Sequence, residues 1–374
     1  MIELRSRAQL RPQLETAFDF AQQQVKELVE KYPDFYPMYT VRGRWRHQGE
    51  AWTHWCDGFL PGMMWIFYSR TREESWRQLA ERYSRPLEPR RRDRSVHDLG
   101  FIFMSTYHRW LQLTGEPGLG RVLIEAGRTL ALRFQEKGGY LCSFLGPESL
   151  FIDIMMNVGI VFYAAGRTGD ARLAEIAARH SLTSRRVLVR GDGSTAHEGI
   201  FDTQTGAFLR QSTQQGLRAD TCWSRGLSWA LYGFGTAYAH TRDARFLETA
   251  QACADFYFQR TPPDGVPLWD YDAGPHDPQW LDTSAAAIAA SGLLQLADLA
   301  AGEARSILYR EGALRILETL SSSLHLAAGC AGWEGILRGG VYHIPKGLGV
   351  NESVMWGEYF FVEALGRALA LLQV

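Results

Sequence analysis

The sequence predicts an all-α protein, built as a single toroid of paired helices. Apolar residues recur at helical spacing along most of its 374 residues, and loops rich in Gly, Pro and Asp separate these stretches. The helices alternate between an aromatic, glycine-rich kind and an ordinary amphipathic kind, which indicates an inner and an outer ring. Because no linker rich in Pro, Ser or charge divides the chain, we expect one domain over residues 1–374.

The predicted helices follow one another along the whole chain. The spacing of apolar residues places them at 13–30, 58–82, 98–114, 118–135, 150–165, 170–188, 223–240, 243–258, 282–299, 303–321 and 353–371. These are eleven helices, and one more is easily missed. Two short segments, "RVLVR" at 186–190 and "GGVYHI" at 339–344, predict strands of hairpins within loops.

An internal echo supports the ring of similar helices. Trp and Tyr stand three residues apart in "MWIFY", "SWALY" and "MWGEY", at positions 65 and 68, 229 and 232, and 356 and 359. Residues three apart share one face of a helix. The same kind of helix is therefore expected to recur at these three places.

Charge and cysteine usage limit the partners and the compartment. Lys and Arg (40) almost balance Asp and Glu (41), so we expect no nucleic-acid partner and no membrane partner. The basic cluster of Arg90, Arg91, Arg92 and Arg94 predicts a solvated loop. The five cysteines form no C-x-x-C pair, and "MIELRSRAQL" lacks the apolar run of a signal peptide, which together predict a cytoplasmic protein with reduced thiols.

Polar residues that stand out from their surroundings lie at the starts of the aromatic helices or in the loops before them. If the inner helices all begin at the same end of the ring, these residues converge on one site. The set consists of Trp55, Asp57, His97, Asp98, Asp153, His197, Gln215, Arg225, Trp229, Trp269 and Asp270.

Two of these carboxylates are candidates for acid–base chemistry. Asp153 stands between Ile152 and Ile154 in an apparently apolar helix, where burial would raise its pKa. The alternative for Asp98 and for Asp153 is a carboxylate that only favours a helix start. Carboxylates beside Trp and Tyr rings suggest carbohydrate chemistry, since aromatic faces stack on sugars. The histidines show no metal-ligand spacing and no phosphate-binding loop is present, so we expect no metal and no cofactor.

Several motifs together resemble the unsaturated glucuronyl hydrolases of glycoside hydrolase family 88 over roughly residues 50–370. The motifs are "HDLGF" (97–101), "IDIMMN" (152–157), "DGST-x-H" (192–197), "QQG-x-x-x-D-x-C-W-x-R-G-x-x-W-x-x-Y-G" (214–233), "LWDYD" (268–272) and "NESVMWGEYFFVEAL" (351–365).

The resemblance implies an (α/α)6 barrel that releases the unsaturated uronic acid at the non-reducing end of glycosaminoglycan fragments left by polysaccharide lyases. It implies that Asp98 and Asp153 are the two essential aspartates. It also implies substrate contacts at His197, Gln215, Arg225 and Trp229, and it matches Trp55 to the Trp before the family's "GF" helix. From their places beside the aspartates and in the loops we further expect His97 and Trp269 to bind substrate.

Two loops depart from the family pattern. Where many relatives have an aromatic residue before the second aspartate, this chain has "KGGYLCSF", so Tyr140 is the candidate there. "YHIPKGLG" (342–349) lacks the Ser and Lys pattern of some members that accept sulfated sugars. We expect Lys346 of this loop near the sugar downstream of the cleaved bond, with a solvated lysine as the alternative.

Two other functions remain open at this point. The related unsaturated rhamnogalacturonyl hydrolases share the barrel but act on pectin fragments, and "HDLGF" with "IDIMMN" favours the glucuronyl group over them. A non-catalytic sugar-binding toroid is disfavoured because it would not need two adjustable carboxyl groups. The expected partners are therefore di- and oligosaccharides that carry an unsaturated uronate.

Overall fold

The computed structural model describes residues 7–47 and 53–372, and these form an (α/α)6 toroid, as predicted. Its helices are α1 (Arg7–Lys31), α2 (Phe59–Thr71), α3 (Glu74–Ser84), α4 (Leu99–Ser105), α5 (Tyr107–Thr114), α6 (Pro117–Ala131), α7 (Ile154–Asn157), α8 (Gly159–Thr168), α9 (Ala171–Leu188), α10 (Ser224–Thr241), α11 (Ala244–Arg260), α12 (Thr283–Leu299), α13 (Glu303–Leu320) and α14 (Met355–Leu371). Within these residues, no helix is both long and apolar enough to cross a bilayer.

The inner ring consists of α2, α4 with α5, α7 with α8, α10, α12 and α14. Each packs against the next, and α14 closes the ring against α2. Glycines allow some of these helices to approach closely, since a Cβ on Gly100 would lie 2.4 Å from Cα of Asn157 and one on Gly233 would lie 2.6 Å from the carbonyl oxygen of Met155. The glycine-rich, aromatic kind of helix is therefore the inner kind, as predicted.

The two ends of the ring differ in their connections. At one end, an inner helix passes to the next outer helix through a short turn with a residue of positive φ, namely Arg72, Gly115, Gly169 or Arg242. At the other end, long loops return from the outer helices. All six inner segments begin there, so the residues before and within their first turns surround one mouth.

The prediction of one helix over 58–82 was wrong, because the chain turns back between α2 and α3. Arg72 adopts φ 60° and its amide donates to the carbonyl of Tyr68. The segment "SRTREES" contains neither Gly nor Pro, the residues that usually mark such a turn. Helix α3 is the one helix missing from the eleven that were predicted.

The strands form small antiparallel sheets within the long loops. They are β1 (Thr40–Val41), β2 (Arg44–Trp45), β3 (Phe134–Gln135), β4 (Tyr140–Leu141), β5 (Ser149–Phe151), β6 (Glu198–Phe201), β7 (Phe208–Ser212), β8 (Gly340–His343) and β9 (Leu348–Glu352), paired as β1–β2, β3–β4, β5–β6–β7 and β8–β9. "GGVYHI" is confirmed as β8. The strand predicted at 186–190 is wrong, because α9 continues to Leu188 and Val189 forms an isolated bridge with Thr195.

Candidate active site

A cavity of about 280 Å³ opens at the end of the ring where the inner helices begin. Most of the residues predicted to converge on one site line it, as does Lys346, whereas Asp57, His197, Trp269 and Asp270 do not. Its walls are formed by Thr53, Trp55, His97, Asp98, Phe144, Leu145, Phe151, Asp153, Gln214, Gln215, Arg225, Trp229, Tyr342, His343 and Lys346.

Asp98 immediately precedes α4, but its carboxylate caps no backbone amide of that helix. Oδ1 instead lies 3.3 Å from Nε2 of His97. Nδ1 of His97 accepts a hydrogen bond from the amide of Phe144 at 3.1 Å, so the proton of the neutral ring resides on Nε2, the nitrogen next to Asp98. The helix-start alternative does not account for this arrangement.

Asp153 also stands before a helix rather than within one, because "SLF" at 149–151 forms β5 and α7 begins at Ile154. Its side chain is only 14% exposed and caps no amide. Among the described residues, Oδ1 has no hydrogen-bond partner. The backbone turn from β5 into α7 thus directs a buried carboxylate toward the cavity.

His197 faces Asp153 in the way that His97 faces Asp98. Nδ1 of His197 accepts from the amides of Gln214 and Gln215 at 3.0 and 3.2 Å, which leaves the proton on Nε2. Nε2 lies 3.9 Å from Oδ1 of Asp153, too far for a hydrogen bond, and has no other partner within the described part of the chain. A buried donor and a buried acceptor therefore face each other across a gap.

Both aspartates resist ionisation. Burial, followed by the nearby charge of Asp153, raises the pKa of Asp98 to about 8. Burial raises the pKa of Asp153 to about 7, against the lowering influence of the Arg225 guanidinium. Burial lowers the pKa of both His97 and His197 to about 3, so both rings are neutral. Near neutral pH the site therefore holds at least one proton on a carboxyl group.

Arg225 lies in the first turn of α10 and is almost fully engaged by the protein. Its guanidinium lies between the rings of Trp223 and Trp356, at 4.4 and 5.0 Å from their centroids. It donates to the carbonyls of Val341 and Tyr342 and to Oε1 of Gln215. Because Oε1 is used in this way, the amide nitrogen of Gln215 is the end directed away from Arg225.

Aromatic rings form the floor and one wall of the cavity. Trp55 is half-buried and its ring lies 4.8 Å from that of Trp356. Trp229 is only 1% exposed and packs at 5.0 Å from Phe101 and 5.3 Å from Phe360. Trp55 therefore offers more surface to a ligand than Trp229, which serves mainly as the floor.

Two predicted contacts lie elsewhere. Trp269 is buried outside the cavity, where its indole donates to the carbonyl of Pro278 and its own carbonyl accepts from Ser224 at the start of α10. Tyr140 is also buried, and its hydroxyl donates to the carbonyl of Pro147. Phe144, four residues later, is the aromatic residue that this loop contributes to the cavity.

The solvated loop predicted from the arginine cluster was only partly right. Arg90 lies in a 3₁₀ helix over Arg85–Arg92, and its side chain is only 18% exposed. It donates to the carbonyls of Thr53 and His54 at 2.8 and 2.6 Å and pairs with Asp57 and Asp93. His54 adopts φ 49°, a conformation that costs free energy without glycine, so Arg90 holds a strained loop next to Trp55.

Sequence reasoning missed several lining residues. Thr53, Phe144, Leu145, Phe151, Gln214, Tyr342 and His343 all border the cavity. Some of them neighbour a residue that was singled out, so the loops were identified more reliably than the side chains. Within the described ranges, no three His, Cys, Asp or Glu side chains come together to hold a metal ion.

Comparisons with known proteins agree with this geometry. The model of Glycosyl Hydrolase Family 88 matches residues 24–296. Unsaturated glucuronyl hydrolase of Bacillus sp. (strain GL1) is 31% identical over 328 residues, which cover 84% of this chain and 86% of that protein. Unsaturated chondroitin disaccharide hydrolase of Streptococcus pneumoniae is 30% identical over 324 residues, covering 84% and 82%.

Among solved structures, an unsaturated glucuronyl hydrolase specific for heparin superposes with a TM-score of 0.90 at 28% identity, covering 97% of this chain and 98% of that one. The enzyme from Bacillus sp. GL1 gives a TM-score of 0.87 at 28% identity, with coverage of 94% and 96%. The family model matches more than half of the sequence, and the chain belongs to glycosyl hydrolase family 88.

Proposed function

We propose that this enzyme removes the 4,5-unsaturated uronic acid from the non-reducing end of oligosaccharides that lyases release from glycosaminoglycans. The observation that carries the proposal is the pair of buried carboxyl groups, Asp98 and Asp153, whose pKa values are raised to about 8 and about 7 within one aromatic cavity. A carboxylic acid that is still protonated near neutral pH is what this chemistry requires. The names of the relatives support the same substrate class.

The reaction begins at the double bond rather than at the anomeric carbon. The unsaturated uronic acid is an enol ether, so its ring oxygen pushes electron density through the bond and C4 accepts a proton. We assign Asp153 as the donor, because its Oδ1 is buried and, among the described residues, unpartnered. Proton transfer to C4 leaves an oxocarbenium-like cation at C5 and an ionised Asp153.

Water then adds at C5, and Asp153 accepts the proton that this water releases. The product is a hemiketal, whose opening breaks the bond between C5 and the ring oxygen. The former ring oxygen becomes a hydroxyl on C1, and this hemiacetal collapses to an aldehyde with release of the next sugar as an alcohol. Asp153 thus begins and ends the cycle protonated, and no group attacks C1.

The neighbouring residues bind and orient the ring. Asp98, fixed by His97, would hold the sugar and stabilise the positive charge that develops at C5. His197 would donate to a hydroxyl group in the gap before Asp153. Gln215, oriented by Arg225, is the group that we place at the C5 carboxylate.

The closed floor of the cavity supports action at a chain end. Phe101, Trp229 and Phe360 pack together below the aspartates, so a sugar chain cannot pass through the ring. One terminal ring can enter beside Trp55 while the remaining sugars extend past the mouth. Lys346, exposed on the turn after β8, lines that cavity.

The decisive experiment is turnover of an unsaturated chondroitin disaccharide in heavy water. We expect loss of the ultraviolet absorbance of the conjugated double bond and deuterium at C4 of the released uronate. Product made in ordinary water and then transferred to heavy water controls for later exchange next to the new ketone. Absence of deuterium at C4 in the first turnovers would contradict hydration, and a preference for an unsaturated rhamnogalacturonan disaccharide offered in parallel would contradict the substrate class.

The role of Lys346 has its own test. If its ammonium group lies near the sugar downstream of the cleaved bond, Lys346→Ala should lower activity on a sulfated disaccharide more than on the unsulfated one. Equal activity ratios in the variant and the parent enzyme would show that Lys346 is only a solvated lysine.

We also propose that the enzyme works in the cytoplasm on imported di- and oligosaccharides. All five cysteines are free thiols, and four of them are buried. This usage is typical of a reducing compartment. Fractionation of cells with the enzyme assayed in each compartment tests the placement.

A further inference from the structure

Asp282 is the residue before α12, and its carboxylate is fully buried. Oδ1 accepts hydrogen bonds from the amide and hydroxyl of Ser284, at 3.0 and 2.6 Å, and from the amide of Val341 at 3.2 Å. Oδ2 has no hydrogen-bond partner in the described part of the chain, and it lies 3.7 Å from Nη1 of Arg225. One oxygen therefore holds the local structure, and the other faces the guanidinium.

Asp282 and Arg225 hold the same peptide from opposite sides. The amide of Val341 donates to Asp282, while the carbonyl of Val341 accepts from Arg225. The indole rings of Trp223 and Trp356 cover the faces of the guanidinium, which is itself only 1% exposed. Charges in such a dry site are screened weakly, so Arg225 acts strongly on the carboxylates around it.

Arg225 faces two carboxyl groups from two elements, Asp282 before α12 and Asp153 before α7. The other polar groups near it carry no charge near neutral pH. They are the carbonyls of Val341 and Tyr342 on β8, the Tyr342 hydroxyl with its raised pKa, the amide of Gln215, and the neutral ring of His197. Asp98, the other aspartate of the cavity, lies next to Asp153 and responds to its charge.

We propose that Asp282 is a positioning residue that acts through Arg225, taking up part of the guanidinium charge that would otherwise act on Asp153. The proposal rests on the proposed function, in which Asp153 must donate a proton. Burial raises the pKa of Asp282, whereas the Arg225 guanidinium and the three donated hydrogen bonds favour its ionised form. Without that charge, Arg225 would stabilise the ionised form of Asp153 and so lower its pKa, and Asp153 would release its proton before substrate binds.

The test is the substitution Asp282→Asn, which keeps the size of the side chain and an oxygen that can cap α12. Infrared difference spectra over a pH titration, without substrate, follow the carbonyl band of protonated Asp153, identified by its loss in Asp153→Asn. We expect the midpoint of this band to fall by about one pH unit, because Asp282 lies 3.7 Å from Arg225 and Arg225 in turn lowers the pKa of Asp153. The alkaline limb of kcat/KM should move to lower pH by the same amount.

Two control substitutions distinguish the effect of the negative charge of Asp282 from the effect of its cap on α12. Asp243→Asn removes the carboxylate that caps the outer helix α11, and Ser284→Ala removes a partner of Asp282 without removing its charge. Neither should move the midpoint of Asp153. If Asp282→Asn does not fold, Asp282→Ser, which retains a capping hydroxyl, takes its place with the same expectation.

An unmoved Asp153 midpoint in a folded Asp282 variant would overturn the inference. That result is independent of the substrate, because the spectra are recorded on the free enzyme. An inactive parent enzyme with a normal Asp153 titration would instead contradict the proposed function. The two failures are therefore distinguishable.

Discussion

Two His–Asp pairs lie at the cavity, where both aspartates line it, and the pairs are built alike but differ in the distance between histidine and aspartate. In each pair, backbone amides donate to Nδ1 of the histidine, and the Nε2 proton is directed at a buried carboxylate. His97 and Asp98 are 3.3 Å apart, whereas His197 and Asp153 are 3.9 Å apart. Asp98 is also the less exposed of the two, with 7% of its side chain accessible against 14% for Asp153.

This difference suits Asp98 to hold the substrate and Asp153 to react with it. In the closed pair, Nε2 of His97 lies 3.3 Å from the carboxylate of Asp98, and this contact can keep the carboxyl group in one orientation. In the open pair, Nε2 of His197 and Oδ1 of Asp153 are buried and, among the described residues, unpartnered. Leaving two such atoms unpaired is costly, and a ligand hydroxyl or a water between them would relieve that cost.

The substitution with the largest expected effect removes the carboxyl group of the open pair, His197 and Asp153. Asp153→Asn should lower kcat by about 100-fold to 10,000-fold, because it removes the proposed general acid while leaving the shape of the side chain. Substrate should still bind, which equilibrium titration of the variant measures. We expect a smaller loss of kcat for Asp98→Asn, and the opposite order would exchange the two roles.

Replacing the histidines should separate binding from catalysis. His197→Ala removes a donor to the substrate and should raise KM about fivefold, the value of one hydrogen bond worth about 1 kcal/mol. His97→Gln should affect kcat more than KM, since His97 reaches the substrate only through Asp98. Steady-state kinetics of the two variants under the same conditions test this. Equal effects on KM would show that the two pairs are equivalent.

The two aspartates should also differ in their effect on stability. Each has a pKa in the folded protein above its unfolded value of 3.8, so its contribution is fully present below pH 3.8 and is lost as pH rises through about 8 for Asp98 and about 7 for Asp153. Asp98→Asn should therefore raise Tm at alkaline pH more than Asp153→Asn does. Calorimetry below pH 3.8 is the control, where neither variant should gain stability by this route.

The smallest expected effect concerns the loop beside the closed pair. Arg90→Lys loses the planar fork that binds the carbonyls of Thr53 and His54, so Trp55 should be held less firmly. We expect KM to rise about threefold, the equivalent of one weakened hydrogen bond, with little change in kcat. Arg92→Lys is the matched control, because Arg92 is 70% exposed and pairs with Glu125 outside the cavity. A KM that also rises in Arg92→Lys would show that the effect does not depend on the fork of Arg90.

Much of the fold was accessible from the sequence because the ring repeats one pattern. The paired helices, their inner and outer kinds and the common mouth follow from apolar spacing and from the position of polar residues at helix starts. The break at Arg72 was missed because a left-handed residue other than glycine leaves no local signature. The strand predicted at 186–190 failed because α9 continues through Val187 to Leu188 and only Val189 is extended.

The site was harder to predict wherever a role depends on long-range contacts. Asp98 and Asp153 stand out locally as carboxylates beside apolar residues. By contrast, Asp282 and Arg90 look like an ordinary helix cap and a solvated arginine until residues distant in sequence are placed against them. Trp269 shows the opposite error, because a Trp next to an Asp in a loop is equally suited to bury its ring beneath that loop.

The closure of the ring by α14 also bears on how the enzyme is made. Helices α2 and α14 are neighbours in space although almost 300 residues of synthesis separate them, and Glu352, just before α14, accepts hydrogen bonds from Thr40, Arg42 and Gly43. A nascent chain on the ribosome can pair its early helices, but the gap left for α14 exposes apolar faces of α2 and α12. Such late, non-local closure slows folding and leaves the growing chain open to association with chaperones. The catalytic mouth is thus completed only after translation has passed residue 371.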